Sequence, residues 1–244
     1  GFGYFTYFAQ LLKQYTHGEI DLFTIPKVQA IAEFQQKVIL YGNKSISFSD
    51  GSSVYKHNIG LSHYLYKNFK GIEVPPLECM AQFGDDHCHR WATFIRNFVW
   101  TDSAISNGTI GEAQYFLEDS GWYIKRSSCY SFAAKAGHND EPHNHNDVGS
   151  FIFNIGDENI LCDLGAGEYT ADYFGNKRYD YMCNCSRGHN VPIINGNYQK
   201  AGRQYSGSVL KADDDEFEIE FSKAYDIKSL KELKRKFKLF KDSI

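Results

Sequence analysis

The sequence is short of the features that mark several large protein classes. Its six cysteines, at 79, 88, 129, 162, 183 and 185, form no CxxC pair and are too sparse for a disulfide-stapled miniature. They read as mostly reduced, buried thiols. Cys183 and Cys185 are open to distant pairing, to metal ligation or to plain strand positions. Neither sign of charge dominates: 26 Lys and Arg stand against 30 Asp and Glu, for a net charge of -4. Nothing in that balance calls for nucleic acid or an anionic membrane as partner, and any acidic ligand must be met by a local patch. There is no signal-peptide pattern and no apolar run long enough to span a bilayer. Repeats and low-complexity stretches are absent too. The chain opens on Gly1 inside an aromatic helical pattern and closes on Asp242-Ser243-Ile244, a turn without a return strand, so both ends read as those of a fragment.

What is present is enough apolar material for a substantial core. With 244 residues, 42% of them hydrophobic, the chain suits one large domain or a small one beside a larger one, and the second arrangement is expected. The 17 Tyr and 19 Phe suit a packed β core and equally suit stacking on sugar rings. In GFGYFTYFAQLLKQYTHG, Phe5, Phe8, Leu12 and Tyr15 recur at the spacing of one buried helical face, and Gly18 stops it. A second helix is expected from Pro26 to Tyr41, with Thr24 as N-cap and Gly42 closing it. A Ser/Asp/Gly loop then leads to helices in IGLSHYLYKNFKG and HRWATFIRNFVW.

From about residue 112 the pattern changes to short segments rich in Phe, Tyr, Ile and Val, separated by turns such as EDSG, GDEN and NG. The expected strands are QYFLED, GWYIKRS, YSFAAKA, VGSFIFNIG, NILCDLG, NVPIING, GSVLKAD and EFEIEFSKAY, at sandwich-like spacing. Alternation of Phe217, Ile219 and Phe221 with Glu216, Glu218 and Glu220 marks one solvated face. The basic tail SLKELKRKFKLFKDSI reads as a strand edge guarded by lysines, with a glycan-binding patch or a charged helix as alternatives. The fold class is therefore mainly β with N-terminal helices: a helical segment over 1–105 and an antiparallel β-sandwich over 106–244.

Chemistry-bearing residues concentrate in GHNDEPHNHNDVGSFIFNIGDENILCDLGAGEYT. On an extended segment His143 and His145 face the same way and reach one pocket. With GDEN as the turn of a hairpin, Asp163 returns towards the His145 end. His189 opens the next expected strand, in RGHNVPIING. Two imidazoles and a carboxylate match the donor set that Zn²⁺ prefers. His17, His57, His63, His87, His89 and His138 read as hydrogen-bonded structural residues.

The succession HNHND, GSFIFNIGDENILCDLGAGEY and RGHNVPIINGNYQ resembles the C-terminal β-domain of the heparinase II/III family of polysaccharide lyases, over most of residues 115–205. The resemblance implies that the N-terminal helices are the last of an α/α-toroid, with the family's catalytic tyrosine and its Asn or His partner in segments preceding Gly1. It implies that His143 is the catalytic-site histidine, and that His145, Asp163 and His189 hold a structural zinc ion. It further implies β-elimination at a uronic acid in an acidic polysaccharide or oligosaccharide, in a periplasmic or extracellular setting, with a cytoplasmic one also open. Arg178, Arg187 and Gln199 are candidates for binding substrate anions or hydroxyls, with surface or structural roles as alternatives. Two other readings compete: a cupin-like metal enzyme, though the Glu usual after HxH is missing here, and a non-catalytic carbohydrate-binding module whose metal staples loops.

Overall fold

A computed structural model describes residues 1–86, 88–106 and 108–241. His87 and the turn expected at 242–244 lie outside the described residues. The chain divides into two compact units, one of residues 1–43 and 55–110, the other of residues 44–54 and 111–244. Residues 44–54, read above as part of the helical segment, thus belong with the β unit. The reason is packing: Phe48 sets its ring edge-on to Trp122 at 5.2 Å.

The first unit contains helices α1 (Phe2–Tyr15), α2 (Pro26–Ala32), α3 (Phe34–Lys37), α4 (Ile59–Asn68) and α5 (Trp91–Val99), with a short extended piece, β1 (Ile39–Tyr41). α1 has the expected length but buries a different face. Thr6, Tyr7 and Ala9 are inside, whereas Phe8 and Tyr15 are 59% and 87% exposed. Apolar residues surround this helix, so their spacing fixes the period without choosing the buried side. Tyr7 decides it, packing on Trp100 at 5.4 Å and under the Arg96 guanidinium at 4.1 Å. The helix expected over 26–41 breaks at Glu33 and ends at Lys37. The run Val38-Ile39 is β-branched, and Ile39 and Leu40 are both buried in extended conformation. Ile25, not Thr24, takes the N-cap position of α2. Val28, Ala32, Leu65, Phe69 and Ile72 form this unit's core.

The second unit carries β2 (Lys44–Ser45), β3 (Ala113–Leu117), β4 (Trp122–Arg126), β5 (Ser131–Lys135), β6 (His138–Asn139), β7 (Phe151–Ile155), β8 (Glu158–Leu161), β9 (Gly202–Ser206), β10 (Ser208–Ala212), β11 (Glu216–Glu220) and β12 (Lys234–Lys238). One antiparallel sheet has the order β3-β4-β5-β7-β8 and a second the order β10-β11-β12. Tyr123 and Phe132 from the first sheet meet Phe217, Ile219 and Phe237 from the second in one core. Tyr123 stacks on Phe217 at 5.0 Å, and Phe132 lies 4.8 Å from Phe237. This is an antiparallel β-sandwich. Burial of Phe217, Ile219 and Phe221 follows the expected alternation, and β12 is the lysine-lined edge strand, with Lys236 paired to Glu216 and Glu218.

β5 is buried on both faces. On the face turned away from the core, Lys135 reaches Asp147 in the connection between β6 and β7, the stretch that carries His143 and His145. Two expected strands did not form as such. NVPIING is a turn closed by a bridge between Ile194 and Asn197, while β9, unanticipated, pairs with β6. NILCDLG is a strand only to Leu161, so Asp163 lies just past its end. Among the described residues no disulfide joins the six cysteines. Cys79 and Cys185 are buried, but Cys88, Cys129 and Cys162 are exposed, contrary to the expectation of interior thiols. No described helix is long and apolar enough to cross a membrane.

Candidate functional site

Three of the four residues singled out around the HxH motif converge. Donor atoms of His145, Asp163 and His189 all lie within 4.8 Å of one another, and all three residues are buried. His145 enters from the β5–β7 loop. Asp163 arrives because β7 and β8 form a hairpin with Ile155 opposite Glu158, which returns the chain to the loop's end. His189 follows a single helical turn, Ser186–Gly188, rather than opening a strand. That turn is pinned by Ser186 Oγ, which donates to the Asn146 carbonyl at 2.8 Å and accepts from the Gln199 amide at 2.9 Å.

His189 Nδ1 contacts Asp163 Oδ2 at 2.8 Å, and the His145 and His189 rings are 5.3 Å apart. His145 Nδ1 and His189 Nε2 are buried and have no hydrogen-bond partner. Buried polar atoms left unpaired cost about 1–3 kcal/mol each, so two such nitrogens beside one carboxylate fit a cation with nitrogen and oxygen ligands. Burial lowers the His145 pKa against the opposing pull of Asp147 and Asp50. For His189 burial also acts downward, but the Asp163 hydrogen bond and the charges of Asp147 and Asp163 prevail, and its pKa is raised.

His143 stands apart from this cluster. Its backbone is left-handed, with φ of 60°, and its side chain is 53% exposed. The segment is therefore not extended at this residue, and the two histidines diverge: His145 turns inward, and His143 lies at the surface near the rings of Tyr169 and Phe174, at 6.3 and 6.2 Å. A non-glycine residue held in this conformation costs of order 1 kcal/mol or more, a form of strain that clusters at functional sites.

The residue that joins them, Asp50, was not anticipated from sequence. Its Oδ2 accepts from His143 Nδ1 at 2.7 Å and from Tyr169 at 3.1 Å. Its Oδ1 accepts from His145 Nε2 at 2.9 Å, Tyr173 at 2.5 Å and Arg178 at 3.1 Å. Burial pushes this carboxyl up, but the hydrogen bonds from Tyr173, His145 and His143 and the Arg178 charge hold it well below the usual carboxylate range. Tyr173 is correspondingly raised, to about 12, by burial and by its bond to Asp50. The turn bearing Asp50 is docked on the Asp163 segment. Ser47 Oγ donates to the Asp163 carbonyl at 3.1 Å, and the Ala166 amide donates to the Gly51 carbonyl at 3.2 Å. Gly165 makes this approach possible, since a Cβ there would stand 2.3 Å from the Gly51 oxygen.

A second pair was also unforeseen. Lys135, inside β5, meets Asp147 at 2.8 Å with both side chains fully buried. Burial opposes ionisation of each, yet each charge holds the other: the Lys135 pKa is raised and that of Asp147 lowered.

Of the three residues expected to meet substrate, two are engaged in the protein. Gln199 is buried; its Oε1 accepts from the Val148 amide and from Asn139, and its Nε2 donates to the Val148 carbonyl. That engages the amide in the scaffold, in line with the structural alternative read for this residue. Arg178 donates to the Asn144 and Tyr173 carbonyls as well as to Asp50, and its guanidinium lies over the Tyr173 ring at 4.7 Å. Arg187 is exposed.

Fold and site together define an antiparallel β-sandwich whose β6–β7 connection carries a histidine at the surface and another in a buried His-Asp-His cluster. The model of the heparinase II/III-like C-terminal domain matches residues 109–242. With that match spanning more than half of its residues, the chain belongs to the heparinase II/III-like family. No curated protein matches the sequence. Among solved structures, a heparinase III gene product with methylated lysines is similar at 13% identity and a TM-score of 0.54, over 87% of this chain and 30% of that one. A second structure, described as that heparinase III gene product, gives 13% identity and 0.51, over 86% and 30%. A heparan sulfate lyase mutant from Pedobacter heparinus gives 13% and 0.45, over 76% and 26%. The chain thus spans under a third of the length of these structures, and the first two support the fold assignment.

Proposed function

We propose that the protein is a polysaccharide lyase that cleaves a uronic-acid-containing polysaccharide by β-elimination, with His143 at the reacting centre. The carrying observation is the state of His143: strained in backbone, half-exposed, tied by Nδ1 to a buried carboxylate and flanked by aromatic rings. In the reaction the substrate carboxylate is neutralised and a base removes the proton at C5. That electron pair forms the C4–C5 double bond, and the glycosidic oxygen at C4 departs with a proton. His143 contributes to the proton transfer or to carboxylate neutralisation, and histidine is suited to both near neutral pH. Arg187, exposed, is the remaining candidate for meeting a substrate anion.

His145, Asp163 and His189 would hold a zinc ion, whose contribution when bound is to tie three chain segments into one shape. The chain's own residues then do the rest: Asp50 and Arg178 keep the loop in place, and Tyr169 and Phe174 wall the exposed histidine. The test is incubation with heparan sulfate, alginate and other uronate polymers while following the ultraviolet absorbance of the unsaturated product. Protein that also carries the toroid segments implied by the resemblance is expected to generate it on at least one polymer, the 244-residue chain alone is expected to be inactive, and His143→Ala in the longer protein to abolish it with zinc content unchanged. A His143→Ala variant that keeps full activity, or loses its zinc while His189→Ala retains it, overturns the assignment.

A further inference from the structure

The two histidines of the HxH motif offer opposite nitrogens to the same carboxylate. His143 uses Nδ1, at 2.7 Å from Asp50 Oδ2, and His145 uses Nε2, at 2.9 Å from Asp50 Oδ1. A carboxylate paired with an arginine is an acceptor only, so both ring nitrogens must carry hydrogen. In a neutral imidazole the other nitrogen then bears the lone pair. For His145 that other nitrogen is Nδ1, the atom found buried and unpartnered beside Asp163 and His189. For His143 it is Nε2, on a side chain that is half-exposed.

We propose that Asp50 is the positioning residue of the site: one carboxylate fixes the tautomers of both histidines, directing His145 Nδ1 to a metal and His143 Nε2 to substrate. This rests on the reading of the site given above. Independent geometry supports it. Asp50 is itself held by Tyr173, Tyr169 and Arg178, so its two oxygens are aimed by groups other than the two histidines. Ser49, its neighbour, is left-handed at φ of 57°, as is His143 at 60°. Two strained non-glycine residues therefore sit on either side of one short contact, and such strain persists only where the surroundings over-determine it. Carboxylate partners that orient ligating histidines typically change metal affinity about 10–100-fold when removed.

The experiment uses protein labelled with nitrogen-15 in its histidines and long-range proton–nitrogen correlation spectra, with zinc titration alongside. In metal-free wild-type protein His145 is expected as the Nε2–H tautomer and His143 as the Nδ1–H tautomer. Asp50→Asn keeps the shape but places an amide donor against one imidazole N–H. It should shift His143 to a mixture of tautomers and weaken zinc binding by about 10–100-fold. The opposite tautomer at either histidine in the wild type overturns the proposal, and this reading needs no variant to fold. Unchanged spectra and zinc affinity in a folded Asp50→Asn protein overturn it as well. Wild-type protein that shows both expected tautomers but takes up no zinc supports the positioning role of Asp50 and removes the metal reading instead.

Discussion

Replacing Lys135 with Met tests whether the buried ion pair under the site is a structural necessity. Lys135 and Asp147 are both 0% exposed and 2.8 Å apart. At an effective dielectric of about 20, that separation corresponds to an attraction of about 6 kcal/mol, which offsets a desolvation cost of several kcal/mol for each ion. The intact pair is therefore close to break-even. The single variant is not: methionine fills the lysine's volume but leaves Asp147 charged in the interior, with Oδ2 already lacking any partner. The expected loss is about 3–5 kcal/mol. Changing Asp147 to Asn in the same molecule removes the stranded charge, so the double variant should recover at least about 2 kcal/mol of it. Hydrogen exchange at the Ala133 and Ala134 amides of β5 is the suitable assay, because it reports opening of the sandwich without contribution from the helical unit. A Lys135→Met protein within about 1 kcal/mol of wild type, or a double variant worse than the single, would refute the reasoning.

Three further outcomes follow from the same structure. His57, which sits between Ser62 and the Pro76 carbonyl, has its pKa lowered to about 4 by burial, so the folded state favours its neutral form. The unfolded chain binds the proton first, near pH 6.5, and stability present above that value is lost as pH falls towards 4. The loss is about 2 kcal/mol between about pH 7.5 and about pH 5, and His57→Gln should flatten that part of a urea-denaturation series. Chelator treatment is expected to lower the melting temperature, and His189→Ala to mimic it, whereas His143→Ala should leave both melting and zinc content nearly unchanged; calorimetry with metal analysis decides. Gly165→Ala should cost at least about 2 kcal/mol and weaken zinc binding, since a Cβ at φ of 63° would displace the Gly51 carbonyl and with it Asp50; a thermal melt and a zinc titration read both effects.

Local pattern made a good part of this protein legible. Alternation over Phe217–Phe221, the turns EDSG and GDEN, and lysines along the last strand are short-range signals, and the sandwich follows them. His145, Asp163 and His189 were visible as members of a possible ligand set that also included His143, and it was the resemblance to the heparinase II/III family that set His143 apart. What local pattern lacks is direction. It gave α1 a helical period but not its buried side, because apolar residues surround that helix and only the packing of Tyr7 on Trp100 selects one. It treated His143 and His145 as side chains of one extended segment, whereas the left-handed backbone at His143 parts them.

The sequence by itself determined a helical segment followed by an antiparallel β-domain, and the residue types of a His-Asp-His cluster. Only the tertiary structure decided which ring nitrogen each histidine turns to Asp50, that Gln199 and Arg178 are hydrogen-bonded within the protein, and that Asp50 lies at the centre. Asp50 and His143 are separated by 93 positions and sit in segments whose local signals are unrelated. Their contact exists because Phe48 packs on Trp122 and the Gly51 carbonyl fits against Gly165, and no periodicity of either segment encodes that fit.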